Sequence, residues 1–245
     1  MGLSSVLTVP RVIGHRGAAA VAPENSAAGF RAAKDQGASW VELDVQLSAE
    51  GVPVVFHDET LDRCSTGHGP LRDTPLAVLR GLDAGSWFSP DFAGQSILTL
   101  AEALELILSL GLGVNIEIKA SEADGAKTAL AAMAVASQIW PADRPPPLIS
   151  SFAQSALEVV SGWPKALLQD SLSPEWPSLM ERLGCVSLNA NARAISPMVV
   201  AEAKRRGWTV LAYTVNDPMQ ANRLLGWGVD GVFSDAPGAI LRALS

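Results

Sequence analysis

Tyrosine occurs once in this chain, cysteine twice and histidine three times. Two cysteines, Cys64 and Cys185, lie too far apart in sequence to make a disulfide framework or a cysteine metal site, and they read as free thiols of a reducing compartment. Basic residues are also short: 18 lysines and arginines against 25 acidic residues leave a formal net charge of −7. That balance argues against a nucleic-acid partner, which calls for a basic face, and against adhesion to anionic membranes. No apolar run approaches the roughly 18 residues of a membrane span, so no stable membrane insertion is expected. The opening MGLSSVLTVPRVIG lacks a charged segment followed by an apolar one, so no signal peptide is expected. Val6 stands where a myristoylation start requires Ser or Thr. No Gly-rich phosphate loop of Rossmann or P-loop type is present. The expected location is the cytoplasm, and the partner left open is a small anionic molecule at a local cationic site.

What is present is a regular alternation. The 245 residues, 48% hydrophobic, supply ample material for a core. Short apolar runs predict strands at Val12–Gly14, Trp40–Gln46, Gly113–Ile118, Leu148–Ser151, Ala166–Gln169, Val186–Asn189, Val210–Thr214 and Gly231–Phe233. Helical segments fall between them, several opened by an N-cap residue and proline: Ser173-Pro174, Ser196-Pro197 and Asp217-Pro218. Eight strand–helix units with short linkers predict an α/β chain folded as a (β/α)8 barrel, one domain over residues 1–245. Between His57 and Leu98 the periodicity lapses, which predicts a capping insertion after the second strand, about residues 58–98.

Side chains alternate across a strand. In WVELDVQL the apolar Val41, Leu43 and Val45 share one face, so Glu42 and Asp44 share the other and point into the barrel. In VNIEIKA the same rule turns Glu117 and Lys119 inward. A purely structural ion-pair network would explain them, but several desolvated charges in one place are expensive unless very well paired. Three converging carboxylates call for a divalent cation, and all-oxygen ligands favour Mg2+ or Ca2+. Adding Arg16 and Lys119 leaves this group one positive charge in excess, a match for a monoanion such as a phosphodiester. His15 and His57 each follow a strand-like run, VIG and VVF, and strand C-terminal ends are where barrel active sites lie. Two imidazoles there can act as general base and general acid. His68, within CSTGHGP, reads as a loop residue.

In order along the chain stand His15-Arg16-Gly17 with Pro23-Glu24-Asn25, then Glu42-Leu43-Asp44. His57-Asp58 with Leu61-Asp62-Arg63 and Gly67 follow, then Glu117-Ile118-Lys119, Ser151-Phe152 and Tyr213-Thr214-Val215-Asn216. This ordered set resembles the glycerophosphodiester phosphodiesterase family, phospholipase-C-like barrels. The resemblance implies metal binding by Glu42, Asp44 and Glu117, phosphate binding by Arg16 and Lys119, and His15 and His57 as the acid/base pair. It places Phe152 and Tyr213 in the substrate pocket and Glu24 and Asn25 as supports of the ligands. Asn25 reads equally as the cap of the first helix, and Asp235 as the cap of the last. The expected reaction turns a glycerophosphodiester into glycerol 3-phosphate and an alcohol through a cyclic phosphate, with His15 leaning towards base and His57 towards acid. The family commonly has Thr-Thr-Asn where this chain has Cys64, Ser65 and Thr66, and Trp where it has Tyr213. Cys64 is expected to be a packing variant. The alternatives are a lysophospholipase D, with Trp87, Phe88 and Phe92 as an apolar lip, and an inactive barrel that binds phosphodiesters or a protein.

Overall fold

A strand whose every second side chain is apolar can bury one face on helices and leave the other for a barrel interior. The computed structural model describes residues 7–245 and is built on that rule. The readings of the first six residues, as neither signal peptide nor myristoylation start, lie outside the described residues. Strands β1 (Val12–Gly14), β2 (Trp40–Leu47), β4 (Gly113–Ile118), β5 (Leu148–Ser151), β6 (Lys165–Gln169), β7 (Ser187–Asn191), β8 (Thr209–Tyr213) and β9 (Gly231–Ser234) are all parallel. The pairing of β1 with both β2 and β9 closes them into a (β/α)8 barrel. β3 (Pro53–Val55) is the exception: it doubles back antiparallel on the end of β2, Val45 opposite Val55.

Helices α1 (Ala27–Asp35), α3 (Leu100–Ser109), α4 (Gly125–Ile139), α5 (Gln154–Val159), α6 (Trp176–Leu183), α7 (Pro197–Arg205), α8 (Pro218–Gly226) and α9 (Pro237–Leu244) surround the barrel. Val41, Leu43 and Val45 face outward into the same buried core as Leu104 and Ile107 of α3, as alternation requires. Ile13, Leu148, Ala166, Leu211 and Phe233 form a separate buried cluster. No helix among the described residues is long and apolar enough to cross a membrane.

The segment between β3 and α3 carries only one short helix, α2 (Leu76–Leu79), and two 3-10 turns. Phe56, Leu61, Cys64, Leu71, Leu79 and Ile97 give it a small core of its own. Cys64 is thus a packing residue. Three helix starts differ from expectation. α6 begins at Trp176 with Pro177 in its first turn, two residues beyond Pro174. Ser26, rather than Asn25, caps α1, accepting from Gly29 N–H. α9 starts after Ala236 with no side-chain cap, and Asp235 turns to other partners.

The glycines around His15 and Arg16 have a backbone reason. A Cβ on Gly14 would lie 2.4 Å from the Gly17 carbonyl oxygen, and one on Gly17 (φ +87°) 2.5 Å from the Gly29 carbonyl carbon. Gly51 shares the left-handed backbone (φ +83°) but faces open space. Gly51→Ala therefore costs only the left-handed penalty, about 1–2 kcal/mol. Gly17→Ala adds a backbone collision, and its denaturant midpoint falls well below that of Gly51→Ala; equal midpoints would contradict the packing described.

Candidate active site

β2 and β4 are neighbours in register, with Glu42 opposite Asn115 and Asp44 opposite Glu117. This brings carboxylate oxygens of Glu42, Asp44 and Glu117 within 4.8 Å of one another, Glu42 and Asp44 fully buried. Burial, reinforced by Asp44 and Glu117, pushes the Glu42 carboxyl well above the usual range. Burial and then Asp44 push Glu117 up to about 7. Burial acts on Asp44 in the same sense, but Arg16, Lys119 and His57 together hold it below its ordinary value. Glu42 Oε1 is buried with no protein partner. Three oxygen donors that repel one another, one of them unpaired, fit a hard divalent cation.

Arg16 takes a left-handed backbone (φ +50°) between its glycines, which lets its N–H donate to Glu42 Oε2 at 2.8 Å. Its Nη1 donates to Glu24 Oε1 at 2.9 Å, and Nε lies 3.3 Å from Asp44 Oδ2 without pointing at it. Asn25, also left-handed (φ +56°), donates to Asp44 Oδ2 at 2.9 Å and accepts the Asp44 N–H at 3.2 Å. Asn25 thus bonds Asp44 directly, while Glu24 bonds Arg16, whose N–H meets Glu42. Lys119 Nζ lies 3.1 Å from Glu117 and 3.8 Å from Asp44. Burial opposes the charge of Arg16 and Lys119, but the carboxylates beside them keep both protonated.

The histidines share one construction. His15 Nδ1 donates to Asp235 at 2.6 Å, and His57 Nδ1 donates to Asp58 at 2.6 Å. A carboxylate accepts only from N–H, so each ring is held with the proton on Nδ1 and Nε2 free to work. His15 Nε2 lies 4.0 Å from Glu42. Burial lowers the pKa of His57 below its ordinary value. His57 does not end a barrel strand, as VVF suggested; it follows the returning β3. The Gln46 amide pins it by donating to the carbonyls of Phe56, His57 and Asp58 at 3.0, 3.0 and 2.7 Å.

His15, Arg16, Glu42, His57, Glu117 and Lys119 line one cavity of about 340 Å³, with Asn115, Asn189, Phe152 and Tyr213. Phe152 and Tyr213 meet edge to face, 6.2 Å between centroids, and Tyr213 Oη donates to Asp170 at 3.2 Å. Trp87, Phe88 and Phe92 do not border this cavity. They pack on one another, and the Trp87 indole N–H is tied to the Ala84 carbonyl. His68 is a loop residue, bonded to Asp62. Sequence reasoning read Asp235 as a helix cap, quoted Arg63 and Asn216 only as parts of motifs, and gave no role to Gln46. Asn216 donates to Asp235 at 2.6 Å and so steadies the carboxylate behind His15. Local sequence does not show what these side chains do, because their partners are reached only through the fold.

Fixed imidazoles and paired cations facing a carboxylate cluster at the C-terminal mouth of a (β/α)8 barrel suit a hydrolase of phosphate esters. The chain belongs to the glycerophosphoryl diester phosphodiesterase family, whose model matches residues 15–239. It is 35% identical over 238 residues to the glycerophosphodiester phosphodiesterase of Caldanaerobacter subterraneus subsp. tengcongensis, covering 94% of this chain and 96% of that one. Among solved structures it is similar to an Oleispira antarctica phosphodiesterase in complex with the product sn-glycerol-3-phosphate. That likeness has a TM-score of 0.93 and 39% identity, over 96% of this chain and 97% of the other. The Agrobacterium tumefaciens glycerophosphodiester phosphodiesterase matches at TM-score 0.79 and 28% identity, over 97% and 100%. The enzyme is a phosphoric diester hydrolase.

Proposed function

We propose that this enzyme cleaves glycerophosphodiesters to glycerol 3-phosphate and an alcohol, with a divalent cation, Mg2+ or Ca2+, held by Glu42, Asp44 and Glu117. The observation that carries the reading is the pair of imidazoles, each fixed by a carboxylate at 2.6 Å, lining one cavity with Glu42 and Glu117, behind which Asp44 completes the carboxylate cluster. Bound there, the cation supplies positive charge that offsets the carboxylates and lowers the pKa of an alcohol beside it.

Arg16 and Lys119, both kept charged, hold the non-bridging phosphate oxygens. His57, neutral at pH 7 because burial lowers its pKa, takes the proton of the glycerol hydroxyl next to the ester. That oxygen forms a bond to phosphorus as the bond to the leaving alcohol breaks, and His15 gives the alcohol its proton. Water then opens the cyclic glycerol phosphate with the roles reversed. This assignment inverts the one leaned towards from sequence, on the ground of the His57 environment.

A glycerol moiety suits the buried wall of the cavity. Asn115 donates to Ser150 and Asn189 accepts from Ser187, and this leaves Asn115 Oδ1 and Asn189 Nδ2 buried without a protein partner. Hydroxyl groups can both donate and accept, so a polyol answers both. The likeness to an enzyme whose structure holds sn-glycerol-3-phosphate supports the same substrate class. Trp87, Phe88 and Phe92 stand away from the cavity, which disfavours a dedicated acyl-chain lip and with it the lysophospholipase D reading. The test uses glycerophosphocholine and an analogue in which the hydroxyl next to the ester is replaced by hydrogen. The reading requires turnover of the first and none of the second; equal rates would exclude the cyclic route.

A further inference from the structure

Arg63 lies in the insertion, outside the cavity, with its side chain 45% exposed. Its guanidinium nevertheless grips two carboxylates, each through two bonds. Nε and Nη2 donate to Asp58 Oδ2 and Oδ1 at 2.6 and 2.7 Å. Nη1 and Nη2 donate to Glu24 Oε2 and Oε1 at 2.8 and 2.9 Å. Trp87 backs the group, its ring centroid 6.0 Å from the guanidinium carbon.

Each carboxylate has a second partner in the site. Asp58 Oδ1 accepts from His57 Nδ1 at 2.6 Å, and Glu24 Oε1 accepts from Arg16 Nη1 at 2.9 Å. The result is one unbroken chain, His57–Asp58–Arg63–Glu24–Arg16. It joins the histidine on the insertion side to the arginine on the β1 side. Exposed ion pairs contribute little to stability, so stability is a weak reason for such a group. Geometry is a stronger one: a planar fork that binds two carboxylates through paired bonds fixes how both are turned.

We propose that Arg63 is a positioning residue for the reaction: by orienting Asp58 and Glu24 it sets the His57 ring and the Arg16 guanidinium in one arrangement. One side chain thereby ties the packing of the insertion beside the barrel to the alignment of the acid/base and phosphate-binding groups. A lysine cannot replace it, because one ammonium point charge cannot hold two carboxylates through paired bonds. The proposal rests on the roles given above to His57 and Arg16.

The experiment assays wild type, Arg63→Ala and Arg63→Lys on glycerophosphocholine with saturating divalent cation, with melting temperatures alongside. Arg63→Ala is expected to lose between about 10- and 100-fold in kcat/KM, the usual cost of removing an orienting partner. Its melting temperature stays close to wild type, and Arg63→Lys recovers only a minor part of the loss. Free guanidinium at millimolar concentration restores several-fold activity to Arg63→Ala and none to wild type, a rescue that a merely structural residue would not give. Wild-type activity in Arg63→Ala, or a loss that guanidinium fails to restore, overturns the proposal. A wild type inert on glycerophosphodiesters, read before any variant, overturns the functional reading on which it rests.

Discussion

Glu42→Gln lowers turnover of glycerophosphocholine by more than about 100-fold, beyond the cost of removing a ligand's supporting partner. In EDTA at pH 8, however, the same variant melts no lower than wild type. The two effects have one cause. Glu42 is buried against Asp44 and Glu117, and its carboxyl is pushed well above the ordinary range by that burial and by those neighbours. A neutral amide keeps the bond accepted from the Arg16 N–H and relieves the repulsion, but it gives up one of three charged oxygen donors. A variant that lost activity and stability together in EDTA would point to a structural carboxylate network instead.

The same carboxylates set the pH dependence of the cation-free protein. A carboxyl whose pKa is raised on folding contributes most below its unfolded pKa, and the contribution is lost as pH climbs to the folded value. For Glu117 that interval runs from 4.5 to about 7, and Glu42 acts in the same sense. His57, whose pKa is lowered on folding, opposes this below 6.5, while the contribution of Asp44 is lost only in acid below its ordinary 3.8. The melting temperature in EDTA therefore declines between pH 6.5 and about 7, and added Mg2+ or Ca2+ reverses the decline. A flat profile, or one indifferent to the cation, would count against the three-carboxylate centre.

The second large effect is at His57. His57→Ala lowers kcat by about 10²- to 10⁴-fold, the range for loss of a general acid or base, with substrate binding changed far less. Asp58→Asn gives a smaller loss of about 10- to 100-fold. It also moves the acid limb of the rate profile to lower pH, because the Asp58 hydrogen bond is one of the influences that raise the His57 pKa. A kcat for His57→Ala equal to wild type would remove the histidine from the chemistry.

Glu42, Asp44, Glu117 and Lys119 were legible in the sequence because strand parity is a local property. Once Val41, Leu43 and Val45 are assigned to the helices, the intervening residues have only the interior to face. The helix starts at Ser196-Pro197 and Asp217-Pro218 were legible for the same reason, the cap and its proline being adjacent. Residues whose roles depend on distant partners were not. Asp235 stands 220 positions from His15, and beside Ala236-Pro237 it has the look of a helix cap. The return strand β3 has three residues, too few for periodicity, so His57 looked like the end of a barrel strand when it follows a hairpin. Asn25 was placed as a support only by the family resemblance, and read alone it looked equally like a cap, because nothing nearby in the chain reveals Asp44.

The most direct measurement is release of glycerol 3-phosphate from glycerophosphocholine with Mg2+ or Ca2+, repeated in EDTA and again after the cation is restored. The account predicts turnover with the cation, none in EDTA, and recovery on restoration, with Glu42→Gln showing less than about one-hundredth of that turnover. Full turnover in EDTA would contradict the carboxylate-held cation, and no turnover with either ion would contradict the glycerophosphodiester substrate.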